Sequence, residues 1–185
     1  MHVFPLNRPL CPRLQMVADF VRDGAAVADI GTDHAYLPVA LVLSGKCPRA
    51  VVSDLREMPL ENARQAIRRY HLEDRIVACL SDGLDEIAPD WAQDIIIAGM
   101  GGELIAAILA RAPWLRNEGK RLILQPMTHA EDVRRFLYKK WIFNFKGKRR
   151  AGWLPFLYCP VRAIYGGAHS LFTRPSVFGQ AAGVP

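Results

Sequence analysis

Apolar positions along the chain switch between two periods, and the switching predicts the fold. Residues 10–21 place Leu10, Leu14, Val17, Ala18 and Val21 at helical spacing, which predicts a short helix laid against a domain. Asp23-Gly24 then turns the chain. Residues 25–30 read as a buried strand. Residues 36–44 read as a helix, with Pro38 tolerated in its first turn and Gly45 as its stop. A second strand spans 50–53 and closes on Asp54. The helix predicted over 59–70 has Leu60, Ala63, Ala66 and Ile67 on one face, and Arg64, Arg68 and Arg69 mostly on the wetter side. Residues 75–80 give a third strand. Residues 94–98 give a fourth, almost continuously apolar, as a central parallel strand requires. A helix over 104–110, a strand over 121–124 and a helix over 130–138, with Val133, Phe136 and Leu137 inward, complete the series. Strands alternating with helices in this way predict an α/β fold, a doubly wound, mostly parallel sheet of Rossmann-like type.

Past Lys140 the pattern loosens. Residues 141–145 and 156–165 read as strands joined by a basic link at 146–150, and Pro160 confines the second to an edge or a bulge. The last 15 residues have no helical pattern. The chain therefore divides into a helical segment at 1–24, a Rossmann-like domain at 25–165 and an irregular tail at 166–185. It carries no internal repeat.

With 185 residues the chain can build one domain with its own core. No run of 18 apolar residues occurs, which excludes a membrane-spanning helix. The N-terminus has no charged region followed by an apolar stretch and cleavage site, so secretion is not expected. Cys11, Cys47, Cys79 and Cys159 are scattered without a CxxC. That speaks against a structural zinc and fits a reducing, cytoplasmic location. The charge is uneven. Residues 1–132 carry 14 Lys/Arg against 18 Asp/Glu, whereas 133–185 carry 10 Lys/Arg and no acid. A basic end on an acidic body fits RNA as a partner. A shift of reading frame within that end would also remove its acids.

The predicted strand ends carry the chemistry. Ala28-Asp29-Ile30-Gly31-Thr32-Asp33-His34 runs from a strand towards a helix, where open α/β sheets hold nucleotide-like ligands. Gly31 admits close backbone approach. Asp29 and Asp33 beside it repel a diphosphate and suit a ligand with a cationic or hydroxyl-rich part. The loop also lacks GxGxxG. Both features point to S-adenosylmethionine rather than NAD, with Asp29 or Asp33 taking its ammonium. Asp54 is placed to accept from ribose hydroxyls, and Asp82 to accept from an adenine amine. Gly99-Met100-Gly101-Gly102 reads as a tight turn that lets a base or cofactor approach. Without GKS/T it is no P-loop. His34 is the only histidine in the loop cluster. It has no second His or Cys at ligand spacing, so no metal is expected. His129 reads as a helix-start residue. No GxSxG or Ser-His-Asp pattern occurs at these strand ends.

Several of these segments together resemble one family. They are Asp29-Ile-Gly-Thr-Asp-His-Ala-Tyr-Leu-Pro38, Asp54 with Pro59-Leu60, Ser81-Asp82-Gly83-Leu84, Ile97-Ala-Gly-Met-Gly-Gly102 and Leu122-Ile-Leu-Gln-Pro126. The family is TrmK, the bacterial tRNA adenine-N1 methyltransferases that modify position 22. Leu10-Cys11-Pro12-Arg13-Leu14 resembles its first helix start. The resemblance covers about residues 10–140. It implies a class I S-adenosylmethionine-dependent methyltransferase fold with tRNA as substrate. It places Asp29, Gly31, Asp54, Leu55, Asp82, Gly83 and Gly99 in the cofactor pocket. Asp33 and His34 become the catalytic candidates. Tyr36, Met100, Gly101, Gly102, Gln125 and Pro126 border the target adenine. Neutral adenine N1 already carries a lone pair, so direct transfer needs no strong base, and Asp33 would stabilise the cationic product. The family commonly has Asn where Met127 stands, and it continues into a C-terminal helical domain that this sequence is expected to lack. Those two departures motivate the alternative, a non-catalytic remnant that binds RNA and S-adenosylmethionine.

Overall fold

The computed structural model of the chain describes residues 10–117 and 119–139, and the backbone of 157–160. Six strands, β1 (Val27–Ile30), β2 (Ala50–Asp54), β3 (Ile76–Leu80), β4 (Asp94–Gly101), β5 (Arg121–Thr128) and β6 (Leu157–Pro160), form one sheet. Their order is β3-β2-β1-β4-β5-β6. The first five are parallel, and β6 lies antiparallel on β5. Pro160, opposite Arg121, sits on the outermost of the described strands, the edge position at which a residue without an N–H is tolerated. Five helices accompany the strands: α1 (Pro12–Phe20), α2 (Tyr36–Leu43), α3 (Glu57–Arg69), α4 (Gly102–Arg111) and α5 (Ala130–Leu137).

The sheet separates two apolar layers. Val27, Val52, Ile96 and Ile123 meet Val17, Leu37, Leu41, Ala63 and Ile67 from α1, α2 and α3 on one face. Ala28, Ile30, Val51, Ile95, Ile97, Leu122 and Leu124 meet Ile105, Leu109, Val133 and Leu137 from α4 and α5 on the other. Successive strand residues point to opposite faces, so a strand covered on both sides must be apolar throughout. Ile95-Ile96-Ile97 on β4 meets that demand, each fully buried and each worth roughly 1.5–3 kcal/mol of burial. At the N-terminal edge of β4 the fully buried Asp94 carboxylate accepts from the Arg22 backbone N–H at 2.8 Å, Nε at 2.8 Å and Nη2 at 2.5 Å. This ties the turn after α1 beneath the central strand.

Several boundaries depart from expectation, three of them at the C-terminal edge of the sheet. The helix expected from residue 59 begins at Glu57. Pro59 falls in its first turn, where a missing N–H is free of cost. Its surface carries Arg64 paired with Glu57 and, at 3.4 Å, with Glu61. Arg68 pairs with Glu61 at 2.5 Å. The other two departures are on β4 and β5, which do not stop at Ala98 and Leu124. They run on as strand to Gly101 and Thr128 through paired bulges. Ala98 pairs with Gln125, Met100 with Pro126, and Gly101 with Thr128, so Gly99 is the extra residue on one strand and Met127 on the other. The expected tight turn at Gly99-Met100-Gly101-Gly102 is therefore a bulged strand end followed directly by α4.

The strand expected over 156–165 is described only at Leu157–Pro160. The strand expected over 141–145, the basic link, the tail at 166–185 and the question of a C-terminal helical domain lie outside the described residues. No helix among the described residues is long and apolar enough to cross a membrane.

Candidate functional site

The strand order reverses between β1 and β4, so the chain leaves the C-terminal ends of these neighbours in opposite directions and opens a crevice there. Pairing of Ile30 with Ser53 and with Ile97 sets Gly31 beside Asp54 on one side and beside 98–99 on the other. Gly31 and Thr32 both donate their backbone N–H to the Ser53 carbonyl, at 2.8 and 2.9 Å, which folds the loop onto β2. Gly31 has φ +77°, and Ala35, just before α2, takes a left-handed φ of 53° without being glycine. Such a residue costs of order 1 kcal/mol and persists where its surroundings hold it. Here the Ala35 N–H donates to Thr32 Oγ1 at 3.2 Å.

The two carboxylates of the loop have different settings. Asp29 lies within β1 and is 9% exposed. Burial pushes its carboxyl up to about 6 from 3.8, against the Thr32 hydrogen bond and the Arg13 charge, which both pull it down. Asp33 has 74% of its side chain exposed, and its Oδ2 stands 3.3 Å from His34 Nε2. The His34 ring in turn stacks on Tyr36, with centroids 5.0 Å apart and planes 15° apart. Burial, and then the charges of Asp33 and Tyr70, push the Tyr36 hydroxyl up. The loop thus offers a buried carboxylate at its root and an acid–imidazole–phenol row at its rim, the acid exposed and the two rings half-buried.

Asp54 ends β2 nearly buried. Its Oδ1 accepts from the Arg56 N–H at 2.9 Å, and the Arg56 guanidinium stands 3.8 Å away. Leu55 beside it is 64% exposed, an apolar surface at the strand end that a flat ring can cover. Asp82 is drawn elsewhere: its carboxylate pairs with Arg111 at 2.9 Å, and Arg111 also holds Asp85 at 3.1 Å. Gly83 faces α4, where a Cβ would stand 2.8 Å from Ile108 Cγ1. Asp82 and Gly83 are thus engaged with α4 more than with Asp54.

On the other side of the crevice, the tip of Met100 lies against Gly31. A Cβ on that glycine would stand 2.0 Å from Met100 Cε. Gly101 is half-buried just before α4. Gly102 is required by packing alone, since a Cβ there would meet the His129 carbonyl oxygen at 1.9 Å. Gln125 and Pro126 are buried in β5, whereas Met127 is 61% exposed. One residue absent from the expected site joins it: Arg13 of α1, whose Nη1 donates to Gln125 Oε1 at 3.2 Å and whose charge acts on Asp29. The sequence offered a signal for it, a lone cation within an apolar helix face laid over the sheet. Among the described residues one group, Glu103, His129 and Asp132, brings three potential metal-ligand atoms within 4.8 Å of one another. They lie on the surface, with His129 near Glu131 at 3.4 Å and Asp132 near Arg135 at 3.5 Å.

A reversal point lined by buried acids and a positive-φ glycine, in this strand order, is a nucleotide-type crevice of the kind a methyltransferase domain uses. The chain belongs to that family, whose pattern matches residues 10–146. Its similar relatives include TrmK proteins. It is 42% identical over 131 residues to the tRNA (adenine(22)-N(1))-methyltransferase of Bacillus subtilis, covering 71% of this chain and 55% of that protein. The crystal structure of the B. subtilis m1A22 tRNA methyltransferase TrmK superposes with a TM-score of 0.69 at 41% identity, over 72% of this chain and 57% of that one. M. capricolum TrmK, solved with S-adenosyl-homocysteine, gives 0.63 at 30% identity over 71% and 58%. Streptococcus pneumoniae Sp1610, solved with S-adenosyl-L-methionine, gives 0.68 at 38% identity over 72% and 63%. The chain spans little more than half the length of the relatives it matches.

Proposed function

We propose that this chain transfers a methyl group from S-adenosylmethionine to N1 of an adenine in tRNA, the adenine at position 22. The observation that carries the reading is the buried Asp29 at the β1–β4 reversal, with Arg13 of α1 held over the same strand ends by Gln125 and its charge acting on that carboxyl. A buried anion with a cation acting on it fits the two ends of an amino-acid zwitterion, and the anion repels a diphosphate. S-adenosylmethionine supplies an electrophilic methyl on a sulfonium, which leaves with its bonding electrons on sulfur as the adenine N1 lone pair takes the carbon.

The chain's own residues bind, orient and stabilise. Asp29 takes the ammonium and Arg13 the carboxylate. Asp54 accepts from the ribose hydroxyls, and Leu55 covers one face of the adenine. Gly31 and Gly99 let the backbone close on the ligand, with the flexible tip of Met100 giving way. On the rim, the stacked His34 and Tyr36 rings offer an aromatic face for a base turned out of its helix, and Asp33 faces the positive charge that grows on it. Alignment of the two reactants supplies much of the rate. The protein works in the cytoplasm on this reading, where its substrate and cofactor are found together.

Incubation of the protein with tRNA and methyl-labelled cofactor, followed by nucleoside analysis, tests the reading. The expected product is N1-methyladenosine, lost when adenine 22 is replaced. Cofactor binding with no methylated nucleoside would instead make the chain a non-catalytic binder of RNA and S-adenosylmethionine.

A further inference from the structure

Gln125 is buried within β5, just before its bulge, and its amide is used up inside the protein. Oε1 accepts from the Gly99 N–H at 3.1 Å and from Arg13 Nη1 at 3.2 Å. Nε2 donates to the Pro126 carbonyl at 3.2 Å and lies 3.4 Å from Met127 Sδ. Two donors on one side and a carbonyl on the other fix which way the amide points. The bulge explains why a side chain is needed. Gly99 is the residue with no opposite number on β5, so its N–H has no place in the ladder and takes the Gln125 oxygen instead. The same oxygen holds a guanidinium from α1. Arg13 is exposed on its helix, and a long flexible side chain loses up to roughly 2 kcal/mol of rotamer freedom when fixed. A tether to β5 meets part of that cost before any ligand arrives.

We propose that Gln125 is a positioning residue for the cofactor: it closes the Gly99 bulge and, through the same oxygen, holds Arg13 aimed at the carboxylate end of the ligand. The inference rests on the S-adenosylmethionine reading above. The chemistry of the residue supports it. A neutral amide holds a guanidinium without neutralising it, so the charge stays available to a carboxylate. A glutamate in its place would pair with Arg13 and withdraw it.

Binding of two ligands by calorimetry tests this, with S-adenosylmethionine as one probe and methylthioadenosine, which lacks the amino-acid end, as the other. Q125E should weaken S-adenosylmethionine about tenfold and leave methylthioadenosine within about twofold. R13M should do the same. Q125E added to R13M should change neither affinity by more than about twofold, because the residue acts through the cation already removed. Thermal unfolding of each variant establishes that it is folded. Equal weakening of both ligands would assign Gln125 a merely structural role and overturn the proposal. So would wild-type affinity in Q125E, or an undiminished Q125E effect in the R13M background. Wild-type protein that binds methylthioadenosine but not S-adenosylmethionine would overturn the cofactor reading itself, and this inference with it.

Discussion

Replacing Asp29 by Asn should stabilise the ligand-free protein, and increasingly so as the pH rises. Burial lifts the Asp29 carboxyl from 3.8 to about 6, so its charge is carried at a cost in the folded state. Below pH 3.8 the group is neutral in both states and the cost is absent. As pH rises through 6 the cost becomes complete, and the wild-type protein loses that stability. A shift from 3.8 to about 6 corresponds to about 3 kcal/mol above pH 7 and about half of that at pH 5. Asn keeps an oxygen that accepts from Thr32 and removes the titration. The attraction of Arg13 acts only on the charged form and is already contained in that shift, while the difference between an amide and a neutral carboxyl adds a constant offset. The change between pH values is therefore the sharper quantity: the stability of D29N relative to wild type should rise by about 1–2 kcal/mol from pH 5 to pH 8. Urea unfolding at the two pH values measures it. A difference that is the same at both, or that falls with pH, would refute the assignment of a buried, reluctantly charged carboxylate to this position.

Asp54→Ala should weaken S-adenosylmethionine by roughly 10- to 100-fold while costing no more than about 1 kcal/mol of stability, since the carboxylate gives up a single close hydrogen bond, to the Arg56 N–H; calorimetry and urea unfolding read the two effects. Gly102→Ala should cost about 3 kcal/mol or more, because the new Cβ collides with the His129 backbone rather than a yielding side chain, and a wild-type unfolding midpoint would contradict that packing. Arg22→Met should cost about 3 kcal/mol by leaving the Asp94 carboxylate buried with one backbone donor, and a wild-type urea midpoint would contradict that account. His34→Ala should lower methyl transfer to tRNA with little change in S-adenosylmethionine affinity, measured by labelled transfer beside calorimetry.

The alternating periods made the α/β fold readable, because a strand covered on both faces and a helix covered on one have different apolar spacings. The continuous run at Ile95-Ile96-Ile97 and the single stripe of Leu60, Ala63 and Ile67 are instances. The acids at the ends of β1 and β2 are readable for a similar reason: few forces place Asp at the end of a buried strand. What the chain hides is long-range. Gly99-Met100-Gly101-Gly102 looks like a turn because glycines usually make turns, yet two of its glycines answer to a bulge and to the His129 backbone. Asp82 looks free until Arg111, 29 residues on, is brought alongside it. Arg13 and Gln125 are 112 residues apart, and no local pattern joins them.

The paired bulges tie the lengths of two strands together. One residue is gained on β4 at Gly99 and one on β5 at Met127, so the two insertions cancel and the ladder is back in phase at Gly101 and Thr128. Removing either residue alone would rotate everything beyond it to the opposite side of the sheet, including the starts of α4 and α5. Removing both would restore the phase and abolish the cleft wall that Gly99 shapes. Single-residue deletions should therefore be lethal to folding at either position, while the double deletion should fold and fail only to bind. A change of length in this part of the domain is open to evolution only in matched steps.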